Sequence, residues 1–219
     1  MKKKRLSLHW VGKKNIQLKE TNLPKLKNGE ILLKVESCAI CGSDIKIFFH
    51  GNKRVNSGQI IGHEIAGTVI ETKGKNLHKF KIGDRLAVGA DVPCGKKNCK
   101  YCNNDQANCC DKNYAIGHQF EGGFTDYMTL NKLTLNFGPV VKFKKNISFD
   151  EAALAEPLAC CINGFEKVNY NKKKKVILIL GAGPIGFLLA SLGKYYNKNS
   201  KIILADYAIA RLNFAKKKN

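Results

Sequence analysis

The feature that most restricts the fold is an apolar segment followed directly by a glycine-rich turn. The run from Lys175 to Leu180, apolar after its first residue, predicts a buried strand. Gly181-Ala-Gly-Pro-Ile-Gly186 predicts a tight turn that opens a helix ending near Tyr196. A second strand is predicted from Ile202 to Ala205, and a further helix from about Ala208. This alternation predicts an α/β domain with a parallel sheet.

The glycine-rich turn is a candidate dinucleotide site. Glycines here let the backbone approach a pyrophosphate at the helix N-terminus, as in Rossmann folds. Asp206 lies 20 residues after Gly186, where a carboxylate binds ribose hydroxyls and repels a 2′-phosphate, so NAD is predicted over NADP. The alternative is a glycine-rich turn without a ligand. The candidate cofactor-binding residues are Gly181, Gly183, Pro184, Ile185, Gly186, Asp206 and Arg211.

The first 145 residues show short apolar segments separated by turn signals, so we expect this region to be all β. Clear strand predictions are Glu30 to Ser37 and Ile60 to Ile70, the second with an entry turn. The segment between them, which follows Cys38-Ala-Ile-Cys41-Gly-Ser-Asp44, is expected to be a loop.

The pattern changes at Ser148-Phe-Asp-Glu151, a capping box that predicts the start of a helix. Because proline is tolerated at the first position of a helix, we expect two helices that meet at Glu156, before Pro157. The second would run to about Val168. The predicted domains are 1–155, β-rich and zinc-binding, and 156–219, the beginning of the dinucleotide-binding domain.

Five cysteines fall within 17 residues of a polar loop. Cys94, Cys99, Cys102 and Cys110 are separated by four, two and seven residues, with Cys109 as an alternative to Cys110. Four thiolates drawn from a short, turn-rich loop are the ligands of a structural zinc. The alternative is a set of incidental thiols in a loop.

A second set of candidate ligands is dispersed along the chain. Cys41 and His63 each follow a predicted strand or turn, and a carboxylate from Glu64 or Glu156 would complete a catalytic zinc site with one open position. Asp44 is placed to accept the second ring N–H of His63, and Ser43 to carry a proton. Taken singly, these residues could equally be buried thiols, a core histidine and a helix cap.

The net charge of +21 raises the possibility of a nucleic-acid or membrane partner. The excess is almost entirely lysine and is spread along the chain, so compositional bias explains it better. Val176 to Gly193 is uncharged and long enough to mimic a membrane span, but its glycines and proline favour a strand, turn and helix. We expect a cytoplasmic protein, whose nine cysteines are ligands or free thiols.

Seven segments occur in an order that resembles the zinc-dependent medium-chain dehydrogenases. They are CAICGSD, IIGHEIAGTV, FKIGDRLAV, the four-cysteine lobe, EGGFTDYM, EPLAC and GAGPIG. Within the family, the sequence is most similar to sorbitol (L-iditol) and related polyol dehydrogenases, with threonine dehydrogenase a near relative.

The resemblance implies a GroES-like β-barrel catalytic domain followed by a Rossmann domain, two zinc ions per chain and NAD. It implies Cys41, His63 and either Glu64 or Glu156 as ligands of the catalytic zinc, and the four lobe cysteines as ligands of the structural zinc. The gap after Cys94 is two residues longer than the usual pattern, and Lys46 stands where many relatives carry a proton-relay histidine. The implied activity is oxidation of a secondary alcohol or polyol, by a homo-oligomer with no nucleic-acid or membrane partner.

The predicted dinucleotide-binding region contains two strands, whereas a complete sheet of this type has about six. We therefore expect a C-terminally truncated chain. Two alternatives to a working enzyme stay open at this point: a catalytically inactive fragment of a dehydrogenase, and a zinc-stabilised basic protein that binds nucleic acid.

Overall fold

The computed structural model describes residues 4–74, 79–168 and 176–217. The chain divides into two compact units, Met1–Glu156 and Pro157–Asn219. Lys175, predicted as the first residue of a strand, lies outside the described residues. Among those residues no helix is long and apolar enough to cross a membrane; the segment that mimics a span is divided between a strand and a helix.

The described residues of the first unit form ten strands and three short helices. The strands are β1 (Lys4–Gly12), β2 (Asn15–Asn22), β3 (Glu30–Ala39), β4 (Gln59–Ile60), β5 (Glu64–Lys73), β6 (Arg85–Val88), β7 (Asp91–Val92), β8 (Tyr114–Ala115), β9 (Tyr127–Leu130) and β10 (Val140–Lys142). The helices are α1 (Gly42–His50), α2 (Lys132–Phe137) and α3 (Phe149–Ala153), with a 3-10 turn at Ala107–Cys109.

The core of this unit is built on a five-stranded antiparallel sheet in the order β10-β6-β5-β3-β9. Strand β3 pairs with β5 on one side and β9 on the other, and its residues Ile31 and Leu33 are fully buried. A smaller sheet has the order β2-β1-β4, and β7 pairs with β8. The register of β3 and β5 places Ala39 opposite Glu64, which brings the end of one strand next to the start of the other.

The second unit contains α4 (Ala155–Lys167), apart from its first two residues, followed by β11 (Val176–Leu180), α5 (Pro184–Tyr196), β12 (Lys201–Ala205) and α6 (Ile209–Lys216). The two strands are parallel and in register from Val176 opposite Lys201 to Leu180 opposite Ala205. Ile177 packs in a cluster with residues of α4 and α5, whereas Leu178 and Leu180 are 61% and 81% exposed. The predicted strand–helix order is therefore present, in a sheet with one open face.

Two helices contradict the expectation that the first 145 residues are all β. The segment expected to be a loop forms α1, although its glycine, serine and aromatic residues have low helix propensity. Burial of Ile47 against Trp10, Val55 and Ile61 stabilises it in the folded protein. α2 is capped by Asn131, whose side chain accepts from the Thr134 N–H at 2.9 Å. The strand-like pattern around Asn131 obscured this capping signal.

The capping box at Ser148 is confirmed, since the Glu151 N–H donates to Ser148 Oγ at 3.2 Å and the Ser148 N–H donates to Glu151 Oε2 at 2.7 Å. The break between the helices, however, falls at Leu154 and not at Glu156. Pro157 is the third residue of α4. It is tolerated there because the first N–H groups of a helix have no intrahelical acceptor.

Candidate functional site

The four cysteines of the polar loop converge on one point. The Sγ atoms of Cys94 and Cys102 are 3.8 Å apart, as are those of Cys99 and Cys110, and all four lie within 4.8 Å of one another. Four thiolates about 2.3 Å from a zinc ion would be separated by about 3.8 Å, the edge of the tetrahedron. The separations therefore fit a structural zinc and are too long for disulfides.

Local turns bring these cysteines together. The Cys99 N–H donates to the Lys96 carbonyl at 3.0 Å, and the Cys110 N–H donates to the Ala107 carbonyl at 3.1 Å. Gly95 adopts φ +60°, and a Cβ there would overlap the ring of Phe137. The longer gap after Cys94 is accommodated by this turn. Cys110 is buried within the group, whereas Cys109 is exposed and outside it.

A second group unites residues that are distant in sequence. Cys41 immediately precedes α1, while His63 and Glu64 lie at the start of β5, and one ligand atom from each lies within 4.8 Å of the others. His63 and Glu64 are each 6% exposed. A thiolate, an imidazole and a carboxylate in this arrangement match a catalytic zinc site with three protein ligands and one open position.

Two neighbours orient this group. Asp44 is buried, and its Oδ1 atom lies 3.5 Å from His63 Nδ1. This separation is longer than an ordinary hydrogen bond, and neither atom has another hydrogen-bond partner among the described residues. Asp44 Oδ2 accepts from the Cys41 N–H at 2.9 Å, and Ser43 Oγ lies 3.4 Å from His63 Nε2. Both residues therefore lie where the sequence places them, next to the imidazole.

The electrostatics of the group favour a cation. Burial alone would lower the pKa of His63, but Asp44 and then Cys41 outweigh it and raise the pKa to about 9. Burial raises the pKa of the Glu64 carboxyl. Several buried acidic groups around one imidazole are costly to ionise together unless a positive charge lies among them. The residues present thus fit a bound divalent metal ion.

Glu156, the alternative third ligand, lies in the first turn of α4, and burial raises the pKa of its carboxyl. A Cβ at Gly89 would lie 3.3 Å from its Cγ, so Glu156 packs on the strand end after β6. It does not belong to the group formed by Cys41, His63 and Glu64. Lys46 is exposed on α1.

Sequence reasoning did not identify His118 as part of the site. Its ring centroid lies 6.3 Å from that of His63, and Arg54 is held beside the same turn through Gln119. Because a chain separation of 55 residues gives no periodic signal, only the glycines around it hinted at a close backbone approach.

The glycine-rich turn in the second unit has the predicted form. Gly181 adopts φ +107°, and a Cβ at Gly186 would overlap the Gly181 carbonyl oxygen. Asp206 accepts from the N–H groups of Ala182 and Ala208, both at 2.8 Å, and lies 3.4 Å from Arg211 Nη1. Gly183 precedes α5, whose first two residues are Pro184 and Ile185. The turn can therefore present backbone N–H groups to an anion at a helix N-terminus.

Comparison with known proteins identifies the family. Residues 27–137 match the alcohol dehydrogenase GroES-like domain. The chain is 33% identical over 176 residues to D-arabitol-phosphate dehydrogenase from Enterococcus avium, covering 80% of this chain and 48% of that protein. It is 31% identical over 208 residues to sorbitol dehydrogenase from Bombyx mori, covering 93% and 57%.

A solved zinc-binding dehydrogenase from Sinorhizobium meliloti, bound to NADP, is 26% identical and superposes with a TM-score of 0.86. The alignment covers 99% of this chain and 60% of that one. The chain thus spans about half the length of the curated relatives it matches. The predicted architecture, a GroES-like β-barrel domain followed by an incomplete Rossmann domain, is confirmed. The chain belongs to the zinc-dependent medium-chain alcohol dehydrogenase family.

Proposed function

We propose that this chain carries the catalytic domain, and the adenosine half of the cofactor site, of a dehydrogenase that oxidises a secondary alcohol of a polyol to a ketone. The observation that carries this proposal is the convergence of Cys41, His63 and Glu64 in a buried group beside Ser43. The relatives named for sorbitol and D-arabitol phosphate support a polyol as the substrate class.

In this proposal Cys41, His63 and Glu64 hold the catalytic zinc, because their ligand atoms already lie together. A zinc ion there supplies Lewis acidity, which lowers the pKa of the substrate hydroxyl. Asp44 fixes the ring orientation of His63 from its Nδ1 side. Ser43, 3.4 Å from the same ring, receives the proton that the substrate hydroxyl loses and passes it towards solvent.

We assign the glycine-rich turn to the cofactor. The backbone N–H groups of Gly183 and Ile185, at the N-terminus of α5, bind the pyrophosphate, and Asp206 binds the adenosine ribose. Bound NAD would supply the acceptor for the hydride that leaves the carbinol carbon. We favour NAD because a carboxylate at the end of β12 disfavours a 2′-phosphate, although the Sinorhizobium meliloti relative binds NADP.

Metal analysis tests the two ligand sets. We expect two zinc ions per purified chain, one in Cys41→Ser and one in Cys102→Ser. Glu64→Gln should weaken zinc retention at the catalytic site during dialysis against a chelator, whereas Glu156→Gln should leave it unchanged. One zinc per wild-type chain, unaltered by Cys41→Ser, would exclude the catalytic site. The reverse pattern for the two glutamates would assign the third ligand to Glu156.

We further propose a cytoplasmic homo-oligomer for the full-length protein, without a nucleic-acid or membrane partner. The Sγ separations of 3.8 Å in the four-cysteine lobe are too long for disulfides, which supports a reducing compartment. Light scattering after size-exclusion chromatography measures the oligomeric state. Binding to mixed-sequence DNA is measured at about physiological ionic strength, roughly 150 mM salt. Binding that persists under this condition would contradict the absence of a nucleic-acid partner.

A further inference from the structure

A tight turn beside the metal-binding group has no role in the chemistry described above. The Gly117 N–H donates to the Phe120 carbonyl at 2.9 Å, and Gly117 adopts φ +77°. A Cβ at Gly117 would lie 2.9 Å from the Gly62 carbonyl oxygen, so the turn rests on the backbone that precedes His63. The half-buried His118 at this turn is thereby held next to the proposed zinc ligands.

The hydrogen bonding of His118 indicates which ring atom can meet a substrate. Its Nδ1 atom lies 3.4 Å from the Ile116 carbonyl oxygen. Because a carbonyl can only accept, we place the ring proton on Nδ1 in this contact. Nε2 of the neutral ring is then an acceptor, which suits the hydroxyl group of a polyol.

A guanidinium is fixed on the other side of the turn. Arg54 Nη2 donates to the Asn113 carbonyl at 2.7 Å and to Gln119 Oε1 at 3.3 Å. Gln119 Oε1 also accepts from the Ala115 N–H at 3.0 Å, so the turn that carries His118 also positions Arg54.

His118 thus contacts His63, a proposed zinc ligand, and the adjacent Gln119 holds the guanidinium of Arg54. A guanidinium binds phosphate through a fork of charge-assisted hydrogen bonds. A neutral polyol has no negatively charged group that could bind it in this way. Resting on the proposed function, we propose that the substrate is a polyol phosphate, with its phosphate bound by Arg54 and a neighbouring hydroxyl accepted by His118.

Binding to the zinc-loaded chain tests this without turnover. Calorimetry would compare D-glucitol, D-glucitol 6-phosphate and inorganic phosphate. We expect the phosphate ester to bind about tenfold or more tightly than D-glucitol, the effect of one charge-assisted contact. Arg54→Gln should abolish that preference. Lys53→Gln removes the same charge from the exposed neighbouring residue and should retain the preference for the phosphate ester.

His118→Phe separates the two parts of the proposal. This variant lacks the hydroxyl acceptor but keeps the guanidinium. It should therefore weaken binding of D-glucitol 6-phosphate several-fold and leave the affinity for inorganic phosphate unchanged. Equal affinities for D-glucitol and its phosphate would overturn the proposal, as would equal losses in Arg54→Gln and Lys53→Gln.

The failure of the proposed function has a different signature. If the phosphate ester binds with a dependence on Arg54 and His118, but Cys41→Ser changes neither its affinity nor the zinc content, the subsite is supported and the catalytic zinc assignment is contradicted. If instead Cys41→Ser removes one zinc while Arg54→Gln has no effect on either ligand, the phosphate subsite is wrong and the metal site stands.

Discussion

The two units differ in how far their strands are covered, although both contain strongly apolar strands. In the first unit β3 has a paired strand on each side, and Leu33 is fully buried in spite of nearby polar residues. In the second unit β11 is entirely apolar, yet within the described part of the chain it pairs only with β12, and Leu180 is 81% exposed. Hydropathy therefore indicates which residues favour burial, while the number of packed neighbours decides whether they are buried.

The largest effect expected from this contrast is on turnover. In the proposed assignment, the described residues of the second unit bind only the adenosine and the pyrophosphate, so they would not hold the nicotinamide against the substrate. Positioning of two reactants contributes about 7–11 kcal/mol to such reactions. We expect no steady NADH production when the 219-residue chain is assayed with NAD and polyols, secondary alcohols or threonine. NADH production that Cys41→Ser abolishes would contradict this expectation.

The next effect concerns the structural metal in the first unit. Because structural zinc contributes its binding energy to folding, Cys102→Ser should lower the free energy of unfolding by several kcal/mol and release one zinc. Cys109→Ser is the matched control, since Cys109 is exposed and outside the cluster. Cys41→Ser should be less destabilising than Cys102→Ser. Denaturant unfolding followed by circular dichroism ranks the variants by stability. Equal stabilities for Cys102→Ser and Cys109→Ser would refute a structural zinc.

A matched pair of leucines tests the coverage of the two sheets directly. Leu33→Ala removes a fully buried side chain from the first unit and should cost about 2–5 kcal/mol. Leu178→Ala removes a side chain that is 61% exposed on the second sheet, so its effect should stay within about 0.5 kcal/mol. A similar loss in both variants, measured by denaturant unfolding, would mean that the second sheet is covered in solution.

The smallest effect is expected at the ribose contact. Asp206→Ala should weaken NAD binding by about tenfold, the value of one lost charge-assisted hydrogen bond, and relax discrimination against NADP. Because Asp206 also accepts from Ala182 and Ala208, the ratio of the two affinities is the informative quantity. Arg211→Gln removes the ion-pair partner of Asp206 and keeps the carboxylate, so it separates the contributions of the two side chains. If Asp206→Ala keeps the wild-type ratio, the carboxylate has no part in cofactor choice.

Local patterns were sufficient for several parts of the structure. The capping box at Ser148, the turn at Gly181 and the strand-turn-helix order around it depend on residues within a few positions of one another. The four-cysteine loop is equally local, and its spacing predicted a cluster that the structure brings together. Such features could be predicted because neighbouring residues determine their backbone conformation.

Other parts of the structure could not be predicted from a local sequence pattern. α1 was expected to be a loop, because its propensity is poor and its stability comes from packing of Ile47 against distant residues. The helix break was placed two residues late, since Pro157 is compatible with more than one position in a first turn. His118 was missed, because only the contact of Gly117 with the Gly62 backbone reveals its proximity to His63.

The sequence by itself determined the ligand types, the order of the two units and the glycine-rich turn, since these depend on residue chemistry and short spacing. Only the tertiary structure decided that Glu64 is grouped with Cys41 and His63 while Glu156 is not, and that Cys110 is in the lobe cluster while Cys109 is not. For Glu64 the physical reason is strand register, since pairing of β3 with β5 brings Ala39 opposite Glu64 across 25 residues of chain. A long-range pairing of this kind is set by the packing of the whole sheet.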